Sequence, residues 1–202
     1  MTILSHQSYL IQSLGREGTE GNDSDVLGTD SGESIAGGLG EDFVRGGGGS
    51  DTIFGGRGIS DSLDSADMIY GDGATGVGGD KKIYGNFGND TTYGGSLSTS
   101  LNSGADTIYG GLGNDSIYGQ DGNDVLCGGG GLRHPADNAD YLEAGAGNDL
   151  LIGNGGNDTM SGGDGADTFE GGIGDDDYDC GDGKDLLLAR SGNDTMSGGN
   201  GA

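Results

Sequence analysis

The sequence predicts an all-β solenoid in which short strands coil into two sheets, and three observations carry that prediction. Glycine fills 51 of 202 positions while apolar residues make up only 30%, with no tryptophan and one proline. Such a composition lacks the material for the large core of an ordinary globular enzyme. A nine-residue period governs the chain from residue 28 onward. Within nearly every unit one apolar side chain returns at the eighth place, as a narrow core with one inward residue per strand requires.

The units read as follows. GGLGEDFVR (37–45) is followed by GGGGSDTIF (46–54), and GGLGNDSIY (110–118) by GQDGNDVLC (119–127). From 144 the register is unbroken: AGAGNDLLI, GNGGNDTMS, GGDGADTFE, GGIGDDDYD, CGDGKDLLL and ARSGNDTMS. Their common form is G-G-x-G-x-D-x-U-x with U apolar, a known repeat signature. Glycines at the first, second and fourth places allow positive φ and close backbone approach, so six residues turn sharply with their carbonyl oxygens converging. The last three places form a short strand whose middle side chain points inward. The inward series is Ile35, Val44, Ile53, Ile69, Ile83, Thr92, Ile108, Ile117, Leu126, Leu142, Leu151, Met160, Phe169, Tyr178, Leu187 and Met196. If successive strands lie on opposite sheets, two units make one coil, and loops on one side stack at about 4.8 Å.

The sixth places are the candidate metal ligands: Asp42, Asp51, Asp67, Asp80, Asp90, Asp106, Asp115, Asp124, Asp140, Asp149, Asp158, Asp167, Asp176, Asp185 and Asp194. Carboxylate and carbonyl oxygens suit a hard ion such as Ca2+, whereas zinc prefers Cys or His, and His6 and His134 do not recur. Stacked carboxylates repel unless a divalent ion lies between them. Lys and Arg number 8 against 34 Asp and Glu, a net charge of −26. Roughly a dozen to fifteen calcium ions would bring about +24 to +30 and nearly cancel it. The expectation is coupled binding and folding, because high charge with low hydrophobicity otherwise leaves a chain disordered. The same charge excludes nucleic acid as a partner and disfavours anionic membranes. There is no apolar run of about 18 residues to insert in a bilayer, and MTILSHQSYL is not a secretory signal.

The units at 37–54, 85–93, 110–127 and 144–197 resemble those of the RTX (repeats-in-toxin, hemolysin-type calcium-binding) family. The resemblance covers 28–202 and implies a right-handed parallel β-roll, a calcium-stabilised solenoid with ions held between loops by the sixth-place aspartates and by carbonyls. It also implies type I export of an unfolded chain that folds outside the cell. Members of this family usually end in a C-terminal cap and export signal, whereas this sequence stops mid-unit at GGNGA (198–202). Two roles follow as expectations. One is an extracellular structural protein whose coils assemble head to tail into filaments or a surface layer. The other is the non-catalytic segment of a larger secreted toxin, protease or lipase.

Departures from the period complete the reading. Residues 1–17 place Ile3, Leu10 and Leu14 on one helical face beside Leu4 and Ile11, so they are read as a short amphipathic cap, with a strand as the alternative, on a repeat domain spanning 18–202. At 28–36 Glu33 replaces the aspartate, and at 18–27 Asp23 or Asp25 is the candidate. Units beginning at 55, 71, 94 and 128 run on to 70, 84, 109 and 143, and their insertions are read as surface excursions. Outward ninth places carry two aromatic columns, Tyr70, Tyr93 and Tyr118, and Phe54, Tyr84 and Tyr109. Cys127 and Cys180 fall three coils apart along one side, too far to bridge. No H-E-x-x-H or G-x-S-x-G motif occurs, so no catalysis is expected. The third places Leu39, Gly48, Phe87, Leu112, Asp121 and Ala146 carry no threonine, which excludes an ice-binding array.

Overall fold

In the computed structural model the described residues are 16–18, 21–23, 25–56, 64–72, 78–95, 104–129 and 138–201. Most of the four insertions, His134 and residues 1–15 of the expected cap lie outside them. The strands are β1 (Arg16–Glu17), β2 (Val26–Leu27), β3 (Ser34–Gly38), β4 (Phe43–Arg45), β5 (Thr52–Gly56), β6 (Met68–Tyr70), β7 (Lys82–Phe87), β8 (Thr91–Tyr93) and β9 (Thr107–Leu112). They continue as β10 (Ser116–Asp121), β11 (Val125–Gly129), β12 (Tyr141–Ala146), β13 (Leu150–Gly155), β14 (Thr159–Asp164), β15 (Thr168–Ile173), β16 (Asp177–Asp179), β17 (Leu186–Ser191) and β18 (Thr195–Ser197). No helix occurs among the described residues. At Arg16–Glu17, assigned above to the cap, the chain is already a strand paired with β3.

Odd-numbered strands form one parallel sheet in the order β1-β3-β5-β7-β9-β11-β13-β15-β17, and even-numbered strands form the other. Each strand therefore crosses to the opposite sheet before the chain returns, and two units make one coil of a parallel β-roll. Where no insertion intervenes the return distance is 18 residues, as between Asp140 and Asp158, and insertions lengthen it to 25 between Asp42 and Asp67.

The core is the eighth-place column. Ile35, Val44, Ile53, Ile69, Ile83, Ile108, Ile117, Leu126, Leu142, Leu151, Met160, Phe169 and Tyr178 are all fully buried. One side chain per strand suffices because the two sheets face each other closely and inward residues alternate with outward ones. Leu187 only partly joins this cluster, and Met196 in the outermost strand of its sheet is 60% exposed.

Many strands run longer than the three residues the repeat suggests. β7 continues through Gly85, Asn86 and Phe87, with Asn86 opposite Gly111 and Phe87 opposite Leu112 in β9. The second place adopts positive φ, 82° at Asn86 and 79° at Gln120, which bends the strand without ending the ladder. Aromatic columns line the outer faces. Phe54, Tyr84 and Tyr109 stack at 5.0 and 5.1 Å, and Tyr70, Tyr93 and Tyr118 at 4.7 Å each, with nearly parallel rings. Cys127 sits in β11 and Cys180 directly follows β16 of the other sheet, so the thiols do not share a side as the period suggested. A first-place residue still belongs to the end of the preceding strand. Both cysteines are free.

Candidate metal centre

Two columns of sixth-place residues run along the roll, one in the loops entering each sheet. Before β3, β5, β7, β9, β11, β13, β15 and β17 stand Glu33, Asp51, Lys81, Asp106, Asp124, Asp149, Asp167 and Asp185. The other column is Asp23, Asp42, Asp67, Asp90, Asp115, Asp140, Asp158, Asp176 and Asp194. Backbone bonds tie each to the next coil: Thr107 N–H donates to the Lys81 carbonyl and Ser116 N–H to that of Asp90, both at 2.8 Å.

The carboxylates stack in the same way. Asp67 N–H donates to Asp90 Oδ1 at 2.8 Å, Asp90 N–H to Asp115 Oδ1 at 2.8 Å, and Asp124 N–H to Asp149 Oδ1 at 2.7 Å. The pattern continues to Asp167 and Asp176, whose N–H groups donate to Asp185 and Asp194. One oxygen of each aspartate thus secures the coil before it. The other is left over: Oδ2 of Asp42, Asp67, Asp90, Asp106, Asp124, Asp149 and Asp167 is buried and accepts no hydrogen bond. An ionised oxygen buried without a partner is costly, so it calls for a cation or a proton. Burial accordingly pushes these carboxyls up, to about 6 at Asp42 and Asp149, about 7 at Asp124, about 8 at Asp67 and Asp106, and about 9 at Asp90. At Asp90 the adjacent Asp115 charge adds to the effect.

The donor set fits a hard divalent cation. The columns contain no nitrogen or sulfur ligand apart from the one lysine, and among the described residues no three His, Cys, Asp or Glu side chains form a metal cluster by themselves. Loop carbonyls must therefore complete any coordination shell, which is the mixed oxygen environment that Ca2+ accepts. The loops are shaped for it. The fourth place takes backbone conformations open only to glycine, with φ 121° at Gly88 and 141° at Gly113.

Fourteen of the fifteen candidates stand in the two columns, twelve of them buried and Asp185 and Asp194 half-buried. Asp80 does not take the sixth place of its unit. Ile83 is the inward residue opposite Ile53, so the sixth place is Lys81, and Asp80 is an exposed fifth-place residue accepting from Ala105 N–H at 3.0 Å. The insertion in that unit obscures the count unless it is taken back from the isoleucine. Glu33 keeps the backbone place but turns its carboxylate to Thr29, bonding its N–H at 2.7 Å and its hydroxyl at 2.8 Å. Of the two candidates at 18–27, Asp23 occupies the column, its N–H donating to Asp42 Oδ1 at 2.7 Å.

A second ladder escaped the sequence reading. Fifth-place side chains accept from the fifth-place N–H of the next coil, as in Asn114 N–H to Asn89 at 2.9 Å, Asn148 N–H to Asn123 at 2.8 Å and Ala166 N–H to Asn148 at 2.9 Å. Its donors point opposite to those of the aspartate ladder. The recurring Asn-Asp pair in GxGND was the available signal.

A sequence model of the RTX calcium-binding nonapeptide repeat (4 copies) matches residues 27–60, 74–97, 100–131, 136–169, 152–187 and 170–202, well over half of the chain. Comparison with curated proteins finds no match.

Proposed function

The chain belongs to the RTX calcium-binding nonapeptide repeat family and is a Ca2+-binding β-roll; from that premise we propose that it is a secreted, non-catalytic structural protein that folds as calcium enters its loops. The observation that carries this reading is the row of buried, unbonded Oδ2 atoms along the stacked aspartates. Asp42, Asp51, Asp67, Asp90, Asp106, Asp115, Asp124, Asp140, Asp149, Asp158, Asp167, Asp176, Asp185 and Asp194 would hold the ions together with loop carbonyls. Bound calcium supplies the positive charge that lets neighbouring carboxylates remain ionised a few ångströms apart. The protein's own part is to present oxygens at a fixed spacing and to exclude nitrogen and sulfur ligands.

Export unfolded by a type I route and folding outside the cell accord with this coupling. No helix among the described residues is long and apolar enough to cross a membrane. The last strands, β17 and β18, expose Leu186, Leu188 and Met196, at 55, 42 and 60%, apolar side chains that a further coil would cover. Where a second copy supplies that coil, the assembly is head to tail. Negative-stain microscopy in millimolar calcium and then in chelator tests it. Filaments that dissolve in chelator are expected, whereas monomers throughout favour a segment of a larger secreted protein. Calcium binding itself is tested by titration followed with far-UV circular dichroism, and a chain that binds no calcium overturns the reading.

A further inference from the structure

One position in the aspartate columns is a cation. Lys81 holds the sixth-place backbone geometry, its N–H donating to Asp106 Oδ1 at 2.7 Å while Lys82 N–H donates to the Asp51 carbonyl at 2.9 Å. Its side chain is fully buried. The ammonium lies among four oxygens drawn from two successive coils. Nζ is 2.6 Å from Asp72 Oδ1 and 3.7 Å from Asp51 Oδ2, and it donates to the Gly79 carbonyl at 3.0 Å and to the Gly49 carbonyl. Gly49 and Gly79 each stand two residues before a sixth place, so their carbonyls belong to equivalent positions in neighbouring loops. Two carboxylates and two loop carbonyls around one positive charge form the same kind of oxygen cage that the other gaps offer to a divalent ion. At Asp106, Asp124, Asp149 and Asp167 of the same column a buried oxygen is left unpartnered. Here the chain brings its own counter-charge.

We propose that Lys81 is a tethered substitute for calcium, closing the gap between the Asp51 and Lys81 coils without a metal ion. The proposal rests on the calcium-binding reading above. Its consequence is a roll with one calcium fewer than its loops would otherwise hold, and one inter-coil junction whose closure is independent of calcium concentration. A buried ammonium so close to two carboxylates and two carbonyls leaves no room for a second cation, and like charges repel.

The test counts ions. Wild type, Lys81→Asp and Lys81→Ala are saturated with calcium, passed through a desalting column, and measured by elemental analysis together with protein concentration. Lys81→Asp restores the repeat, and Lys81→Ala leaves the oxygens in place with an emptied volume, so a folding failure of either leaves the other informative. One further calcium ion per chain in a folded variant supports the proposal. Equal counts in wild type and both variants overturn it. A wild-type chain carrying no calcium at all would instead overturn the functional reading on which it rests.

Discussion

Asp67, Asp90, Asp124 and Asp149 divide their two oxygens between tasks: Oδ1 accepts from the coil before, and Oδ2 stays buried. Without metal, burial raises the folded-state pKa from 3.8 to about 8 at Asp67, about 9 at Asp90 and about 8 at Asp106. A group whose folded pKa is raised holds more protons folded than unfolded, so its contribution falls as pH rises between the two values. The metal-free chain is therefore expected to gain β-structure toward pH 4 and to lose it through pH 6–9, within the range set by about 6 at Asp42 and about 9 at Asp90. Far-UV circular dichroism in chelator across that range checks the sign. Calcium binding near neutral pH should release protons, measurable in weakly buffered solution. Thr92 presents a related case: fully buried between Ile69 and Ile117, its hydroxyl has no hydrogen-bond partner. Thr92→Val removes that unsatisfied group at nearly constant volume and should stabilise the calcium-loaded protein by about 1 kcal/mol in thermal unfolding. At this scale the sequence named the aspartates because their spacing is their signal. It misplaced Asp80 because Asp80 and Lys81 are adjacent and only the inward Ile83 decides between them.

At the scale of the turn, the second and fourth places differ in strictness. Asn86, Gln120, Asn154 and Arg190 occupy second places with φ of 74–82°, values that other residues tolerate. Gly113 at a fourth place has φ 141°, and a Cβ there would overlap the Gly88 carbonyl of the neighbouring coil. Gly113→Ala should destabilise the roll by about 1–3 kcal/mol and weaken calcium-induced folding, whereas Gln120→Gly should shift the folding midpoint far less. The strand offers the complementary test. Phe169 is fully buried and meets Tyr178 edge-on at 6.0 Å, so Phe169→Ala should cost about 3–5 kcal/mol in denaturant unfolding with calcium bound. Inward residues and aromatic columns were legible because a fixed period places every ninth side chain alike. The continuation of strands through Asn86 and the asparagine ladder were not, since both depend on backbone bonds between coils that no single unit displays.

For the molecule as a whole, stability is a chain of nearest-neighbour junctions, because each coil touches only the coils beside it. Removing calcium should therefore unfold the roll cooperatively along its axis, with a sigmoidal loss of the β spectrum during chelator titration. The period allowed a two-sheet winding, with a coil closing every two units if successive strands alternate between sheets, and the family resemblance pointed to it; the strand order shows that alternation. The chain has no tryptophan, and the tyrosines of the outer columns are stacked face to face, Tyr70 on Tyr93 and Tyr93 on Tyr118 at interplanar angles of 4° and 9°. Such rings share their electronic excitation. The near-ultraviolet signal of these tyrosines is thus an intrinsic optical gauge of how tightly the wound chain is compressed, readable without any attached dye.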